Sequence, residues 1–306
     1  MKWQKKGLIY CAKGESNWAA TGASLPVPHL LSDQVLRLYV AFADVQNRSR
    51  IGYVDVNPEN PSEVLAVSPT PLLDIGEDGT FDENGVVPIS IVSQDNQLYL
   101  YYVGFQLGVK RPYYLFSGLA ISQDNGQSFQ KYQETPILDR SPQEKYIRTA
   151  PFVLKENNVW KMWYLGGNEW TSYQGKPLPI YKINYLESSD GIHWGETGVL
   201  CIDTDEDIHG FGRPYVTKEP NNTYKMVYSI RYFSKNYRLG QAESKDGIHW
   251  TKSPTEFGVE TSASGWDSDM ICYGIPFSHK NKHYLFYNGN QYGKTGVGYA
   301  ELCPDD

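Results

Sequence analysis

Apolar and polar positions alternate in short runs along the whole chain, as in "QLYLYYVG" (97–104) and "HYLFYNGN" (283–290). A period of two residues is typical of half-buried β-strands. The runs are separated by turns such as "DN", "NN" and "KN", and no segment keeps an apolar period of 3.6 residues. The pattern therefore predicts an all-β protein built from short strands and hairpins.

These strands recur as a longer repeat. Each unit holds a proline-anchored strand, a polar turn, an aromatic strand, a loop and a third strand. Regular four-strand units arranged radially form a β-propeller. We therefore predict an all-β, five-bladed β-propeller, with an array of β-sandwiches as the alternative. The five anchoring prolines, which recur every 60–63 residues, are Pro28, Pro88, Pro151, Pro214 and Pro276.

A heptamer follows the third strand of two units, "SSDGIHW" (188–194) and "SKDGIHW" (244–250). An Asp in a turn accepts hydrogen bonds from nearby backbone N–H groups, and a Gly there tolerates positive φ. Residues 122–129, "SQDNGQSF", are a variant of the same turn. We interpret these heptamers as markers of the fold and not as a functional site.

The last unit ends at "YAELCPDD" (299–306) without a fourth strand. The N-terminal "WQKKGLIY" (3–10) matches the fourth-strand segment "WGETGVLC" (194–201). We therefore expect the N-terminal strand to complete the last blade, which closes the ring and removes an exposed sheet edge. This predicts a single propeller domain over residues 1–306.

Composition narrows the classes of function. The chain has 24 Tyr, 11 Phe and 8 Trp, side chains that form stacking platforms for sugars. A net charge of -7 and the lack of a Lys/Arg run argue against nucleic-acid binding. No apolar stretch is long enough to span a membrane or to form a signal-peptide core. With four cysteines and no C-x-x-C spacing, we expect a cytoplasmic protein with buried, reduced thiols.

The segments leading into the first strand of each blade should face one another across a central funnel. Two of them carry acids: Asp82 and Glu83 in one, Asp267 and Asp269 in the other. Cleavage of a glycosidic bond commonly uses two carboxylates on opposite sides of that bond. These four residues are the candidate catalytic groups, and capping of turns is the alternative role.

Two further segments carry cations, Arg148 in one and both His209 and Arg213 in the other. Because Arg favours bidentate contact with phosphate or carboxylate, these residues predict an anionic group on the ligand. Ion pairing with funnel acids is the alternative. Four more candidates lie at the ends of second strands, where they could line the rim and bind sugar hydroxyls, with ordinary loop polarity as the alternative: Arg231, Asn168, Trp170 and Asn290. Trp266 and Tyr273 flank the acids of the fifth segment and are expected to shape the sugar pocket.

The unit count, second strands such as "KMWYLGG" (161–167) and the "SSDGIHW" turn resemble the five-bladed propeller glycosidases. These include arabinosidase/xylosidase, fructosidase and β-mannoside phosphorylase-like groups. The resemblance implies inner-strand carboxylates as catalytic groups, and Asp82 in "FDENGVV" matches best. The first inner strand has no acid, and Thr149 stands where a Glu is expected. The resemblance to propeller phosphorylases implies a phosphate-binding role for basic residues such as Arg148, His209 and Arg213.

Together these features predict a carbohydrate-active enzyme: a glycoside hydrolase, a phosphorylase or a glycosyl-transfer enzyme. Its substrate is expected to be an anionic or phosphate-bearing sugar in bacterial-type sugar or polysaccharide metabolism. A non-catalytic sugar-binding propeller and a protein-interaction scaffold are the alternatives. No cofactor is expected and no metal motif is present. Binding of a Ca²⁺ or Na⁺ ion in the funnel is left as an open alternative. The expected partner is a small carbohydrate or sugar phosphate, with no nucleic acid or membrane.

Overall fold

The computed structural model describes residues 2–303 and shows an all-β fold with almost no helix. The strands are β1 (Lys2–Tyr10), β2 (Thr21–Ser32), β3 (Val35–Ala43), β4 (Ser49–Asn57), β5 (Asn60–Val67), β6 (Val86–Gln94), β7 (Gln97–Leu107), β8 (Tyr113–Ser122), β9 (Gln130–Lys131), β10 (Ile147–Glu156), β11 (Val159–Tyr173), β12 (Lys176–Ser188), β13 (Val199–Ile202), β14 (Ile208–Lys218), β15 (Tyr224–Tyr232), β16 (Arg238–Ser244), β17 (Trp250–Lys252), β18 (Cys272–His279), β19 (Lys282–Asn288) and β20 (Val297–Cys303). One short helix, α1 (Asn290–Gly293), interrupts them within this range.

Within residues 2–303 the strands group into consecutive antiparallel meanders of four. We name them unit 1 (β2–β5), unit 2 (β6–β9), unit 3 (β10–β13), unit 4 (β14–β17) and unit 5 (β18–β20 with β1). Units 2 and 3 join into one larger sheet through a short parallel pairing of β10 with β8. The meanders match the predicted repeat.

The N-terminal strand lies where the sequence predicts it. Strand β1 pairs antiparallel with β20, from Lys2 opposite Cys303 to Tyr10 opposite Val297. Unit 5 thus takes its fourth strand from the other end of the described chain. An ion pair of 2.7 Å between Lys5 Nζ and Asp267 Oδ2 adds a side-chain contact to this backbone pairing.

The first strands of the units lie side by side. Strands β2, β6, β10, β14 and β18 contact one another in chain order, and β18 also contacts β2. Each pairs with its neighbour through a register shift, so their prolines lie on edge strands or beside bulges, where a missing N–H is tolerated. The segments that lead into these strands therefore meet at one end of the fold.

The repeated heptamers behave as predicted. Asp190 Oδ1 accepts the backbone N–H groups of Ile192 and His193, both at 2.9 Å, and Gly191 has φ +76°. Asp246 and Gly247 repeat this geometry in unit 4.

Each of these turns also accepts a hydrogen bond from a side chain of the preceding unit. The Gly191 carbonyl accepts from Tyr101 Oη at 2.8 Å, and the Gly247 carbonyl accepts from Trp163 Nε1 at 2.7 Å. In the variant turn, the Gly126 carbonyl accepts from Arg37 Nη1 at 3.0 Å. The heptamers are therefore fold elements that join neighbouring units.

The four cysteines are not paired with one another in the described residues, and the expectation that all are buried was only partly correct. Cys272 is buried, whereas Cys11, Cys201 and Cys303 are half-buried, because they lie on outer strands or at strand ends. Burial raises the pKa of the Cys201 thiol to about 12, so it stays protonated at neutral pH. None of the helices described in residues 2–303 has the length and apolar character needed to cross a membrane.

Candidate functional site

Two predicted catalytic acids lie in matching structural contacts. Asp82 is buried, and its Oδ2 accepts Tyr102 Oη at 2.9 Å and lies 2.7 Å from Lys131 Nζ. Asp267 is also buried, and its Oδ2 accepts Tyr287 Oη at 2.9 Å and lies 2.7 Å from Lys5 Nζ. In each case the acid fixes an incoming loop to the second and fourth strands of its own unit. We call this contact the anchor, and its geometry favours a structural role for both acids.

The two remaining predicted acids have different surroundings. Glu83 Oε2 accepts the Gly79 N–H at 2.6 Å, so it caps the turn that precedes it. Asp269 is exposed, and both its oxygens accept from Asn236 Nδ2, at 2.9 and 2.8 Å. Of the four acids, Asp269 alone is an exposed carboxylate without a cationic partner among the described side chains.

Two predicted anion-binding arginines donate hydrogen bonds to the protein itself, although Arg213 Nε has no partner among the described residues. Arg148 Nε lies 2.7 Å from Glu144 Oε2, and its other nitrogens donate to the backbone carbonyls of Asp139 and Gly195. Arg213 Nη1 donates to the Pro26 carbonyl at 2.9 Å, and Nη2 donates to the Tyr273 carbonyl.

These contacts favour the structural alternative for both residues. Arg148 ties the start of β10 to loops of its own unit. Arg213 lies between the first strands of units 1, 4 and 5 and is almost completely buried. Burial lowers the pKa of Arg213 to about 9, so it still carries a positive charge at neutral pH.

Arg231, at the end of β15, is different. It is only 6% exposed, yet its Nε and Nη1 have no hydrogen-bond partner among the described residues. Its guanidinium carbon lies 4.2 Å from the ring centroid of Tyr181 and 5.6 Å from that of Tyr237. Cation–π contacts stabilise a guanidinium but leave its N–H donors unsatisfied. A buried cation with free donors is costly unless an anion meets it.

His209 lies next to this guanidinium and is neutral. Burial, followed by the positive charge of Arg231, lowers the pKa of His209 to about 4. Its Nδ1 lies 3.2 Å from the Pro179 carbonyl, which can only accept, so the proton lies on Nδ1. Nε2 is therefore left as an acceptor. The ring also packs against Phe233, with centroids 5.0 Å apart.

Aromatic side chains surround the pair. Tyr113 and Tyr181 share a hydrogen bond of 3.2 Å, and Tyr113 packs edge-on against Trp170 at 5.3 Å. Tyr237 packs edge-on against Tyr273 at 6.2 Å. Buried Trp170 Nε1 is a further donor without a partner among the described residues. We name this set the arginine cluster; its members are Tyr113, Trp170, Tyr181, His209, Arg231, Phe233, Tyr237, Tyr273 and Tyr292.

The structure thus brings together four of the predicted residues, His209, Arg231, Trp170 and Tyr273. Tyr273 has φ +56°, a strained backbone for a non-glycine residue and a frequent feature of functional sites. Sequence reasoning missed the other four tyrosines of the cluster, because they lie on third strands and in hairpin connections: Tyr113, Tyr181, Tyr237 and Tyr292. Their only signal in the sequence is the large number of Tyr residues.

Three predicted sugar-binding residues lie outside the arginine cluster and make local contacts, so their sugar-binding role stays a prediction. Trp266 stacks on Tyr287 with centroids 5.1 Å apart, beside the unit 5 anchor. Asn290 Oδ1 accepts the backbone N–H groups of Asp269 and Met270, at 2.8 and 3.0 Å. Asn168 is exposed, and its Oδ1 accepts the Lys145 N–H at 3.3 Å.

The arginine cluster offers one fixed cation, one neutral imidazole acceptor and several aromatic faces. Guanidinium donors suit a carboxylate or phosphate, and aromatic rings suit the apolar face of a sugar. Across residues 2–303, no group of three or more His, Cys, Asp or Glu side chains is arranged to hold a metal ion.

Comparison with known proteins gives the family. Residues 72–207 match the model of the glycosyl hydrolases family 32 N-terminal domain. A solved glycoside hydrolase superposes with a TM-score of 0.76 at 16% identity, covering 99% of this chain and 92% of that one. The chain belongs to the glycosidase-like β-propeller superfamily.

Two further comparisons extend the likeness. A GH130-family structure, reported with mannoside phosphorylases and hydrolases that target β-1,2 mannosidic linkages in Candida mannan, has a TM-score of 0.73 at 15% identity. The alignment covers 99% of this chain and 94% of that chain. The "Uncharacterized protein Rv1502" of Mycobacterium tuberculosis (strain ATCC 25618 / H37Rv) is 34% identical over 99% of both chains. Membership of a glycosidase-like superfamily suggests a carbohydrate-active enzyme.

Proposed function

We propose that this chain is a single five-bladed propeller that acts on a carbohydrate bearing a carboxylate or phosphate. Its units would be the blades, and the contact of β18 with β2 supports ring closure. The sugar would bind at the arginine cluster, with its anionic group on Arg231. The observation that carries this proposal is the buried guanidinium with two donor nitrogens that no described residue satisfies.

The physical argument rests on desolvation. A buried charge without a partner costs several kcal/mol, so proteins rarely keep one without a reason. A bidentate anion would satisfy the guanidinium in the geometry that Arg prefers. His209 Nε2 could then accept a hydrogen bond from a sugar hydroxyl, because Nδ1 is committed to the Pro179 carbonyl.

Within this proposal, Asp269 is the best candidate for a general acid or base. The loop that carries Asp269 contacts the edge of the arginine cluster, because Asn290 Oδ1 accepts the Asp269 N–H at 2.8 Å and the Tyr292 N–H donates to Met270 Sδ at 3.4 Å. The second candidate function is binding of the same sugar without catalysis. The occupation of Asp82 and Asp267 by their own tyrosine and lysine partners favours it.

A thermal-shift comparison tests the binding proposal. The probes are glucose 1-phosphate, mannose 1-phosphate, glucuronate and galacturonate, each beside its neutral parent sugar. A ligand at about 100 times its Kd stabilises a protein by about 2.7 kcal/mol. We expect at least one anionic probe to stabilise the wild type, while its neutral parent acts much more weakly.

Two variants test whether Arg231 is the residue that binds the anionic probe. Arg231→Met should abolish the shift, whereas Arg140→Met, which removes a half-exposed arginine near the rim, should preserve it. Equal shifts in wild type and Arg231→Met would contradict the proposal. For the bound probe, loss of product formation in Asp269→Asn supports catalysis, and binding without turnover in the wild type supports the second candidate.

A further inference from the structure

Unit 4 contains an altered version of the anchor. The anchor tyrosine in units 2 and 5 lies on the second strand, opposite a glycine of the third strand: Tyr102 opposite Gly118 and Tyr287 opposite Gly298. Tyr228 holds this position in unit 4, opposite Gly240. We therefore expect a buried acid against its hydroxyl, as in the other two units.

The acid at this place in unit 4 is Asp205, which lies near the surface and not against the Tyr228 hydroxyl. Asp205 pairs with Lys252 of the fourth strand at 3.1 Å, but the two side chains are 48% and 39% exposed. The corresponding acids in units 2 and 5 are only 1% and 2% exposed. Tyr228 Oη has only a long hydrogen bond, 3.4 Å, to the Gln241 carbonyl.

A cavity of about 260 Å³ lies where the closed anchor would be. One wall is apolar and includes Phe211, Ile230 and the bare backbone of Gly240. The polar lining includes Asp205, Lys252, Tyr228, Tyr232 and Glu256.

The cavity is separate from the arginine cluster. Side chains alternate between the two faces of a strand, so Ile230 and Tyr232 face away from Arg231 on β15. Both of its acids already have cations, since Asp205 pairs with Lys252 and Glu256 lies 2.7 Å from Lys235 Nζ. Among the lining residues that the structure describes, no cation is left to neutralise an anionic ligand.

We propose that this cavity is a second carbohydrate site, which takes one neutral pyranose unit. Carboxylates accept from sugar hydroxyls, the ammonium and the tyrosine hydroxyls donate to them, and the apolar wall suits the C–H face of the ring. Burial raises the pKa of Tyr228, so its hydroxyl keeps its proton at neutral pH. The proposal does not depend on a ligand at Arg231.

Ligand-observed saturation-transfer NMR on the full chain provides the test, with glucose, galactose, mannose and xylose as separate probes. We expect at least one of them to bind the wild type and Arg231→Met equally. Asp205→Asn should weaken its Kd about tenfold or more, and Tyr228→Phe about threefold to tenfold. Tyr102→Phe is the matched control, because it removes the same hydroxyl from a closed anchor, and it should leave the Kd unchanged.

Two results would overturn the second site. One is the absence of saturation transfer from all four sugars to the wild type. The other is binding that Arg231→Met removes and that both Asp205→Asn and Tyr228→Phe leave intact, which would assign the neutral sugar to the arginine cluster. Neither result bears on anion binding at Arg231, which is measured with charged probes.

Discussion

The guanidinium carbon of Arg231 lies 4.2 Å from the ring centroid of Tyr181, whereas no described residue accepts a hydrogen bond from its Nε or Nη1. The arginine is therefore held by an aromatic face and not by an acid. Such an arrangement keeps the cation in place and leaves its donors free for an incoming anion.

Replacing this arginine should not destabilise the ligand-free protein. Arg231→Met removes an unpaired buried charge and keeps an apolar side chain of similar length. We expect the free energy of unfolding to stay equal or to rise by about 1–3 kcal/mol, as for other buried charges replaced by apolar groups. Urea unfolding with circular dichroism measures this difference.

Arg37→Met is the matched control. Arg37 is equally buried, but its Nε and Nη2 each donate to Asp55 at 2.8 Å. Its removal leaves a buried carboxylate unpaired, which typically costs about 3–5 kcal/mol. A loss of similar size in Arg231→Met would mean that Arg231 has a structural partner, and would count against its role as a free anion receptor.

His209 should make the fold sensitive to mild acid. Its pKa is about 4 in the folded protein, against an ordinary value of about 6.5, so between these values the unfolded chain binds more protons. Stability from this residue is complete above about pH 6.5 and is lost as the pH falls towards 4, up to about 3 kcal/mol in total. Urea unfolding at pH 7 and pH 5 should show a smaller loss in His209→Gln than in the wild type. Equal losses would place the acid sensitivity elsewhere.

The anchors should be important for stability. Lys131→Met leaves Asp82 buried with a tyrosine hydroxyl but no cation, so we expect a loss of about 3 kcal/mol. The exposed pair of Lys182 and Asp203 is the control, and Lys182→Met should cost about 1 kcal/mol or less. Equal losses in thermal unfolding of the two variants would contradict the structural role of Asp82.

The heptamer glycines should be sensitive to both conformation and packing. Gly191 has φ +76°, and an added Cβ would lie 2.6 Å from the Trp160 ring. Gly175 has φ +78° but open space around it. Gly175→Ala should therefore cost only the strain of a left-handed residue, about 1–2 kcal/mol, and Gly191→Ala should cost clearly more. Equal unfolding free energies in calorimetry would mean that packing at the heptamer turn is loose.

The repeat made most of the fold predictable. Local geometry determines the alternating strands, the regularly spaced prolines and the "SSDGIHW" turns, so a short stretch of sequence is enough to predict each of them. The match between residues 3–10 and 194–201 likewise predicted the pairing of β1 with β20. What the sequence did not reveal was the partner of each turn, because Tyr101 and Trp163 lie in the preceding unit.

The site was predicted less well, since charge along a sequence does not show which charges the fold neutralises. Arg148 and Arg213 come before anchoring prolines, as expected of funnel residues, but backbone carbonyls far away in the sequence occupy them. Asp82 and Asp267 likewise contact a tyrosine and a lysine of their own unit, which favours a structural role and leaves their catalytic role a prediction. Arg231 was one rim candidate among several, and its lack of a partner is a property of the folded molecule alone.

The joining of β1 to β20 also sets the order in which the molecule can be assembled. Strand β1 leaves the ribosome long before β20, so it has no pairing partner while units 1 to 4 are synthesised. Lys5 likewise meets Asp267 only when unit 5 has emerged. Contacts between such distant segments form slowly, because the intervening chain must be organised first. The last sheet can therefore close only after units 1 to 5 have all been synthesised.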